Sequence, residues 1–221
     1  MMRLLVLRPE PGASATVARA KERGLDPCAI PLFVVEAVEW QAPELADFDG
    51  LLLTSANALR HGGEQLQTLR GLKVYVVGES TAQAARDSGF DIASTGDSSA
   101  DRLLGSIEGD LRLLHLCGAD RRAPENATQE ISPVVVYRAR EIDNVDLSQA
   151  PGTVALVHSP RAGARFAELV SDRSSISIAA ISQAAAESVG AGWKRVEAAA
   201  EPRDDVLLAL AARLCNNSRP K

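Results

Sequence analysis

Residues 51–58 read LLLTSANA, and residues 155–162, at an offset of 104, read ALVHSPRA. In each stretch a short apolar run predicts a buried parallel strand, and the small and polar residues behind it predict the start of a helix. Further matched pairs at similar offsets are 3–8 with 112–117, 31–35 with 133–137, 77–82 with 181–186, and 101–104 with 205–208. Repetition of this kind predicts two copies of one α/β unit.

The same alternation of short apolar runs with Ala-rich amphipathic stretches continues along the chain. The runs that we interpret as parallel strands are 4–7, 51–53, 74–77, 113–116, 154–157 and 176–181. The stretches that we interpret as helices are 14–23, 81–88, 99–107, 162–170, 184–189 and 204–214. Strand–helix alternation is typical of an α/β protein with parallel sheets.

The composition argues against several classes of protein. The chain has 24 Lys and Arg against 29 Asp and Glu, a formal net charge of -5, and no basic run, so we expect no nucleic acid partner. No apolar stretch reaches the roughly 20 residues that span a bilayer, so we expect no membrane association. The short apolar start lacks a cleavage site, which favours a cytoplasmic protein. We expect a monomer, because no exposed apolar segment is evident.

Sequence motifs for cofactors and metals are also missing. The chain contains no GxGxxG, no GxxxxGK(S/T) and no GxSxG, so dinucleotide, nucleoside triphosphate and α/β-hydrolase sites lose their main support. His61, His115 and His158 stand alone, without a second ligand at metal-binding spacing. The three cysteines lie far apart and form no CxxC pair. We therefore expect no metal, no cofactor and no disulfide framework.

Small and polar residues follow the predicted strands at their carboxyl ends, where ligands bind in open parallel sheets. They are Arg8, Ser55, Asn57, Gly78, Ser80, Thr81, His158, Ser159, Arg161 and Ser182. The helix starts there offer unpaired N–H groups to an anion, and the arginines add full charges. Helix capping alone also explains the serines, threonine and asparagine, and a tight turn explains Gly78 or Gly118. The spacing by itself predicts a two-lobed α/β protein that binds a small anionic molecule.

Five segments, taken in order, resemble the uroporphyrinogen-III synthase family. They are RPEPG (8–12), TSANA (54–58), VGESTA (77–82), VVYR (135–138) and HSPR (158–161). The order and spacing of these segments carry the resemblance, which runs over nearly the whole chain, roughly residues 3 to 214.

The resemblance implies an α/β fold of two flavodoxin-like parallel-sheet domains, joined by a two-stranded β connection, with a ligand cleft between them. On this sequence, residues 1–31 with 146–221 would form the first, discontinuous domain, and residues 42–131 would form the second. Residues 32–41 and 132–145 would be the connecting strands.

The resemblance also implies a reaction that needs no cofactor and no metal. It is the cyclisation of hydroxymethylbilane, a linear tetrapyrrole polycarboxylate, to uroporphyrinogen III, with loss of water and inversion of ring D. Tyr137 would protonate the leaving hydroxyl, and Thr81 would be a second residue facing the reaction. The residues that would bind substrate, partly through backbone N–H groups, are Arg8, Ser55, Asn57, Gly78, Ser80, Arg138, His158, Ser159, Arg161 and Ser182.

The second half departs from the family pattern at residues 182–186, which read SQAAA. A hydroxyl contact expected at Ala185 is therefore missing. Two other interpretations stay open: a catalytically silent two-lobed protein that binds a small polyanion, and a transferase that uses a nucleotide. The transferase would need a phosphate-binding loop, which the sequence lacks. The silent binding protein differs from the synthase only in chemistry, so the isomer of the product separates them.

Overall fold

The computed structural model describes residues 2–97, 99–125 and 127–216. Its strands are β1 Arg3–Val6, β2 Asp26–Ala29, β3 Phe33–Ala37, β4 Gly50–Leu53, β5 Lys73–Val77, β6 Ile92–Gly96, β7 Arg112–Gly118, β8 Glu130–Glu141, β9 Val154–Val157, β10 Ser177–Ala180 and β11 Arg195–Ala198. Its α-helices are α1 Gly12–Glu22, α2 Asn57–His61, α3 Glu79–Asp87, α4 Ala100–Gly105, α5 Pro160–Leu169, α6 Gln183–Ser188 and α7 Asp204–Asn216. Short 3₁₀ turns lie at Leu45–Asp47 and Glu64–Leu69.

The chain forms two compact units. Unit 1 contains the described residues up to Val34 and those from Glu141 onwards, and unit 2 is Val35–Arg140. The chain therefore passes between the units within β3 and within β8. The domain limits implied by the resemblance stay predictions, and the ends of the first predicted domain, residue 1 and residues 217–221, lie outside the described residues.

Unit 1 is built on a parallel sheet with the strand order β11-β10-β9-β1-β2. All residues of β9 and β10 are buried, as expected for central strands of a parallel sheet. On one face, Leu4 and Val6 of β1 pack in a cluster with apolar residues of α1 and α7. This packing fixes the first turn of α7 beside the sheet.

Unit 2 contains most of a second sheet, with the strand order β3-β8-β7-β4-β5-β6. The pairs from β8 to β6 are parallel. Leu114 and Leu116 of β7 pack with α2 and α3 on one face, which we call the α2–α3 face. Leu113 packs with Leu103 and Leu104 of α4 on the opposite face. Alternate residues of β7 thus point to opposite faces, as strand geometry requires.

Each run that the sequence predicts as a strand or helix overlaps an observed element of the same type. The sequence missed β2, β6 and β11, which are edge strands of the two sheets. Edge strands are covered less completely than central ones, and the three are only partly buried. They therefore need no continuous apolar run, which was the signal used to find strands.

Parallel strands end at the same edge of a sheet, and this places the predicted site residues. In unit 1, Arg8 and His158 follow the neighbouring strands β1 and β9. In unit 2, Ser55 and Gly78 follow the neighbouring strands β4 and β5, and Gly118 ends β7. Each unit therefore gathers its own candidates at the carboxyl edge of its sheet.

Candidate active site

Asp204, the first residue of α7, organises the carboxyl edge of unit 1. Its carboxylate accepts hydrogen bonds from Arg19 Nε at 2.9 Å and from Thr16 Oγ1 at 3.1 Å. His158 Nε2 lies 2.9 Å from Oδ1, and since a carboxylate can only accept, the imidazole donates. Arg8 Nη1 lies 3.5 Å from the same oxygen. We call these five residues the Asp204 cluster.

The Asp204 cluster is electrostatically coupled. Burial alone would raise the pKa of Asp204, but the hydrogen bonds from His158 and Arg19 outweigh it and hold that pKa well below its ordinary value. Burial lowers the pKa of His158, and the hydrogen bond to Asp204 partly opposes this. The His158 side chain is only 6% exposed and Asp204 is 16% exposed. The carboxylate is therefore ionised at neutral pH and neutralises part of the arginine charge.

Arg8, predicted to bind substrate, is half-buried and lies against the start of α1. A Cβ at Gly12 would come within 2.5 Å of Arg8 Nε, so the guanidinium in this position lies close against the glycine. Arg8 Nη1 also lies 3.5 Å from Thr16 Oγ1. Burial is the main cause that lowers the pKa of Arg8, with Asp204 opposing it. The structure thus places Arg8 and His158 in one internal network.

The two serines predicted to follow β9 and β10 act as helix N-caps. Ser159 Oγ accepts a hydrogen bond from Ala162 N at 3.2 Å, and Ser182 Oγ accepts one from Ala185 N at 3.3 Å. These bonds satisfy amide groups that a helix start leaves unpaired. Arg161, in the first turn of α5, is exposed, with its guanidinium carbon 4.6 Å from the centre of the Phe33 ring. The capping that the sequence analysis weighed against ligand binding is present at both serines.

In unit 2, Ser55 and Asn57 form the start of α2. Ser55 Oγ accepts a hydrogen bond from Asn57 N at 3.2 Å, and Asn57 Oδ1 accepts one from Arg60 Nη1 at 3.0 Å. Both residues are partly exposed. Their hydroxyl and amide groups therefore have local partners and also face solvent at the carboxyl edge of β4.

The turn from β5 into α3 brings three further candidates together. Gly78 precedes the helix with a φ of 85°, a conformation that favours glycine, so the turn explanation applies to this residue. Ser80 is exposed, whereas Thr81 is 3% exposed and sits on the buried side of α3. Of the two hydroxyls, the structure makes that of Ser80 the more accessible.

Tyr137 and Arg138 are neighbours on β8 with different surroundings. Tyr137 is partly buried and packs on the α2–α3 face, where its ring centre lies 6.2 Å from that of His61. Arg138 is exposed and donates from Nε to Glu36 Oε1 at 2.7 Å. The hydrogen bond from Arg138 is the main cause that lowers the pKa of Glu36. Arg138 is therefore already paired with the carboxylate of Glu36 at the surface of unit 2.

His115 is a buried imidazole on β7 that the sequence analysis left without a role. Its Nε2 shares a hydrogen bond of 3.1 Å with Thr54 Oγ1, and its Nδ1 has no hydrogen-bond partner among the described residues. Burial lowers the pKa of His115 to about 4, and the charge of Arg121 adds to that shift. Arg121 lines, with His115, a cavity of about 280 Å³. His115 is therefore neutral at physiological pH.

The chain contains two units, each with polar residues at the carboxyl edge of its sheet, and comparison with known proteins shows which family has this sequence pattern. The family model described as Uroporphyrinogen-III synthase HemD matches residues 14–209 of this chain. The chain belongs to the uroporphyrinogen-III synthase family. The match includes residues of both units and therefore most of the described structure.

Individual relatives of the uroporphyrinogen-III synthase family agree with this assignment. A protein of Chlorobaculum parvum (strain DSM 263 / NCIMB 8327) named uroporphyrinogen-III synthase is 30% identical over 101 residues. That alignment covers 42% of this chain and 41% of the relative, so it takes in less than half of the relative's length.

Two solved structures share the fold of this chain. The crystal structure of uroporphyrinogen-III synthetase from Helicobacter pylori 26695 has a TM-score of 0.65 at 15% identity, with 97% of this chain and all of that chain covered. A crystal structure of a mutant uroporphyrinogen III synthase from the extremely thermophilic bacterium Thermus thermophilus has a TM-score of 0.55 at 17% identity and covers 99% of this chain and 100% of its own. At 15% and 17% sequence identity, the similarity to these structures shows a shared fold alone.

Within this uroporphyrinogen-III synthase fold, sequence analysis missed Asp204, Thr16 and Arg19. Nothing in the sequence pairs these residues, because Asp204 lies 188 positions after Thr16. The only local signal was that Asp204 begins a predicted helix, where an acidic residue favours the helix dipole. The Asp204 cluster becomes visible only once α1 and α7 are packed on the same sheet.

The described residues also bear on the expected absences. No helix within residues 2–97, 99–125 and 127–216 is long and apolar enough to cross a membrane. In the same part of the chain, no group of three or more His, Cys, Asp or Glu side chains is placed to hold a metal ion.

Proposed function

We propose that this chain is a uroporphyrinogen-III synthase, a cyclising hydro-lyase of tetrapyrrole biosynthesis. It would convert hydroxymethylbilane to uroporphyrinogen III with loss of water and inversion of ring D. The observation that carries the proposal is the family match over residues 14–209. The ligand cleft, the flavodoxin-like form of the domains and a monomeric, cytoplasmic protein without a nucleic acid partner belong to the same proposal.

The chemistry sets two tasks for the protein. The terminal hydroxyl must leave as water, and the substrate must be held so that the electrophilic methylene carbon left behind attacks the substituted position of ring D. The bond from that position to its methylene bridge then breaks and re-forms at the free position of the ring, which loses a proton. Uncatalysed closure gives the type I isomer, so orientation of the reacting ends is the larger task. The substrate carries many carboxylates, and the chain supplies several arginines and helix starts at two carboxyl edges to bind them.

Tyr137 is proposed as the acid that assists loss of the hydroxyl. A phenol hydroxyl can donate a hydrogen bond to the leaving oxygen. Its partial burial on β8 supports this role, because a packed ring gives a fixed position for the hydroxyl. Thr81 would act from the buried side of α3, with the accessible Ser80 beside it.

The carboxylates of the substrate are proposed to bind at both edges. In unit 1, Arg161 is the exposed cation at the start of α5, while Arg8 and His158 contribute through the fixed charge of the Asp204 cluster. The proposed contacts are Arg8, Ser55, Asn57, Gly78, Ser80, Arg138, His158, Ser159, Arg161 and Ser182. Where a serine hydroxyl already caps its helix, the free amide groups of the first turn are the donors we expect.

The experiment that tests the function is isomer analysis. Purified protein is mixed with freshly prepared hydroxymethylbilane, the product is oxidised to the porphyrin, and the type I and type III isomers are separated. We expect mainly type III, whereas buffer and heat-denatured protein give type I. Type I alone from a folded protein that binds the substrate would support the silent binding protein instead, an alternative that the family match does not favour.

A further inference from the structure

Strand alternation by itself would place Tyr137 on the wrong face of its sheet. Val134 and Val136 of β8 both pack on the α2–α3 face, so the next residue should point away from it. Tyr137 nevertheless packs on that same face. The pairing of β7 with β8 shows why: Cys117 pairs with Val135 but Gly118 pairs with Tyr137, so β8 contains a bulge there. Bulges re-aim side chains in this way.

The residue opposite the re-aimed ring is Gly118. Leu114 and Leu116 of β7 point to the α2–α3 face, so a side chain at Gly118 would point there too. A Cβ at Gly118 would lie 2.6 Å from Cε2, 2.7 Å from Cζ and 3.0 Å from the hydroxyl oxygen of Tyr137. The hydroxyl end of the phenol therefore lies directly over the glycine backbone.

Backbone conformation does not explain the glycine. Gly118 is not among the glycines with a positive φ, unlike Gly78, so its backbone accepts an L-residue. Gly118 does begin a turn, since its carbonyl accepts a hydrogen bond from Arg121 N at 3.2 Å, but that turn does not require glycine. The remaining explanation is steric, because the Tyr137 ring lies where a Cβ at residue 118 would need space.

We infer that Gly118 is a positioning residue for the proposed reaction, which fixes the Tyr137 hydroxyl by letting the ring lie against the β7 backbone. This inference rests on the proposed role of Tyr137. An alanine at residue 118 would force the ring to move, by about 0.8 Å at Cε2 and about 0.4 Å at the hydroxyl oxygen, because ordinary contacts begin at 3.4 Å. A displacement approaching 1 Å reduces the rate of an oriented reaction by up to about 100-fold.

The test is a double-mutant cycle on the single-turnover formation of the type III isomer. We expect Gly118→Ala to slow the single-turnover rate about 10- to 100-fold at saturating enzyme, with little change in the steady-state KM. In a Tyr137→Phe background, the same substitution should change the rate less than twofold, because no hydroxyl is left to misplace. Gly105→Ala is the matched control, since a Cβ at Gly105 meets nothing within 4 Å.

The outcomes separate this inference from the proposed function. If Gly118→Ala slows both backgrounds equally, or slows neither while Tyr137→Phe is slow, Gly118 does not act through the hydroxyl, but Tyr137 keeps its role. If Tyr137→Phe retains the full rate, the role of Tyr137 and the inference both fail. If the unaltered protein forms no type III isomer, the proposed function itself fails.

A second measurement covers the case in which Gly118→Ala folds poorly. Trp40 lies in unit 2, so in a Trp193→Phe chain its fluorescence reports thermal unfolding there. We expect Gly118→Ala to lower the melting temperature when Tyr137 is present but not in a Tyr137→Ala background, where the ring is gone. An equal loss in both backgrounds would mean that the β7 backbone needs the glycine, and would overturn the inference.

Discussion

The two units place different chemistry at equivalent positions of the repeat. In unit 1, Arg8, His158 and Asp204 form an ionic network that joins two strand ends to the start of α7. At the offsets of the repeat, the counterparts in unit 2 are neutral. They are Cys117 for Arg8, Thr54 for His158 and Ala100 for Asp204.

The correspondence extends to the elements that carry these residues. Asp204 is the first residue of α7, and Ala100 is the first residue of α4. His158 binds a carboxylate, whereas Thr54 binds the neutral imidazole of His115. One scaffold therefore supports an ionic network in one copy and neutral residues at the three equivalent positions in the other. The comparison suggests a division of labour in which unit 1 provides fixed charge and unit 2 provides the proposed proton donor.

The largest effect is expected for Asp204→Ala, because it gives unit 1 the residue that unit 2 has at the equivalent position, Ala100. Removing one partner of a buried ionic network typically costs about 3–5 kcal/mol, because the remaining charges stay desolvated. The Arg8 and Arg19 side chains are 34% and 43% exposed, so water screens them in part, and we expect a loss near the lower value in the free energy of unfolding of unit 1. Trp193, in unit 1, reports this transition in a Trp40→Phe chain. Asp205→Ala, which removes an exposed partner of Arg203, is the matched control. Equal losses for the two variants would show that the Asp204 cluster contributes no special stability.

The second-largest effect is expected in unit 2, where lowering the pH protonates the buried imidazole of His115. Because burial lowers the pKa of His115 to about 4, the unfolded state binds its proton at higher pH than the folded state. Stability from this group is therefore complete above about pH 6.5 and is lost as the pH falls towards 4, a loss of about 3 kcal/mol. His115→Gln should flatten this part of the pH profile of unit 2, measured by Trp40 fluorescence in a Trp193→Phe chain. An unchanged slope would mean that other groups cause the acid sensitivity.

The third-largest effect is expected for Tyr137→Phe, which should slow formation of the type III isomer about 10²-fold. This corresponds to roughly 2.7 kcal/mol of activation free energy. The variant should keep the fold and substrate binding, because the ring still packs on the α2–α3 face. The figure is at the low end for a general acid, since the pyrrole nitrogen itself helps to expel the hydroxyl. Single-turnover formation of the type III isomer by the folded variant measures it. A rate within about twofold of the unaltered protein would assign Tyr137 to packing alone.

The sequence predicted the α/β class, the parallel sheets and the repeat, because central strands and amphipathic helices leave strong periodic signals. It did not predict β2, β6 and β11, whose partial burial leaves no apolar run. Within the site, the positions of Arg8 and His158 at strand ends followed from the pattern. Their shared partner Asp204 did not, because the contact depends on packing between distant elements.

Tyr137 shows the same limit at the scale of one residue. Alternation along β8 places it on the face opposite Val136, and only the bulge at Gly118 reverses that placement. A single inserted residue in a ladder has no signature in a run such as VVVYR. The roles of the site residues themselves rest on family resemblance and stay predictions.

The smallest effect is expected at Arg161, the exposed cation at the carboxyl edge of unit 1. If Arg161 meets one substrate carboxylate, Arg161→Ala removes a charge-assisted hydrogen bond worth about 1.5–3 kcal/mol, and exposure puts it near the lower value. We expect the substrate dissociation constant, from single-turnover rates against concentration, to rise about tenfold. The position over Phe33 adds a cation–π contact of about 0.5–1 kcal/mol, which Arg161→Ala also removes from the folded state.

Salt dependence and a control variant test whether Arg161 binds the substrate through its charge. A contact between exposed charges weakens as ionic strength rises, so the difference between Arg161→Ala and the unaltered protein should shrink in salt. Arg203→Ala is the matched control, because Arg203 is also exposed in unit 1 and pairs locally with Asp205. It should leave the dissociation constant unchanged. If Arg161→Ala instead keeps the affinity and lowers stability by more than about 1 kcal/mol, Arg161 is a structural residue. The carboxyl edge of unit 1 would then bind the substrate through the amide groups at the start of α5 and not through this side chain.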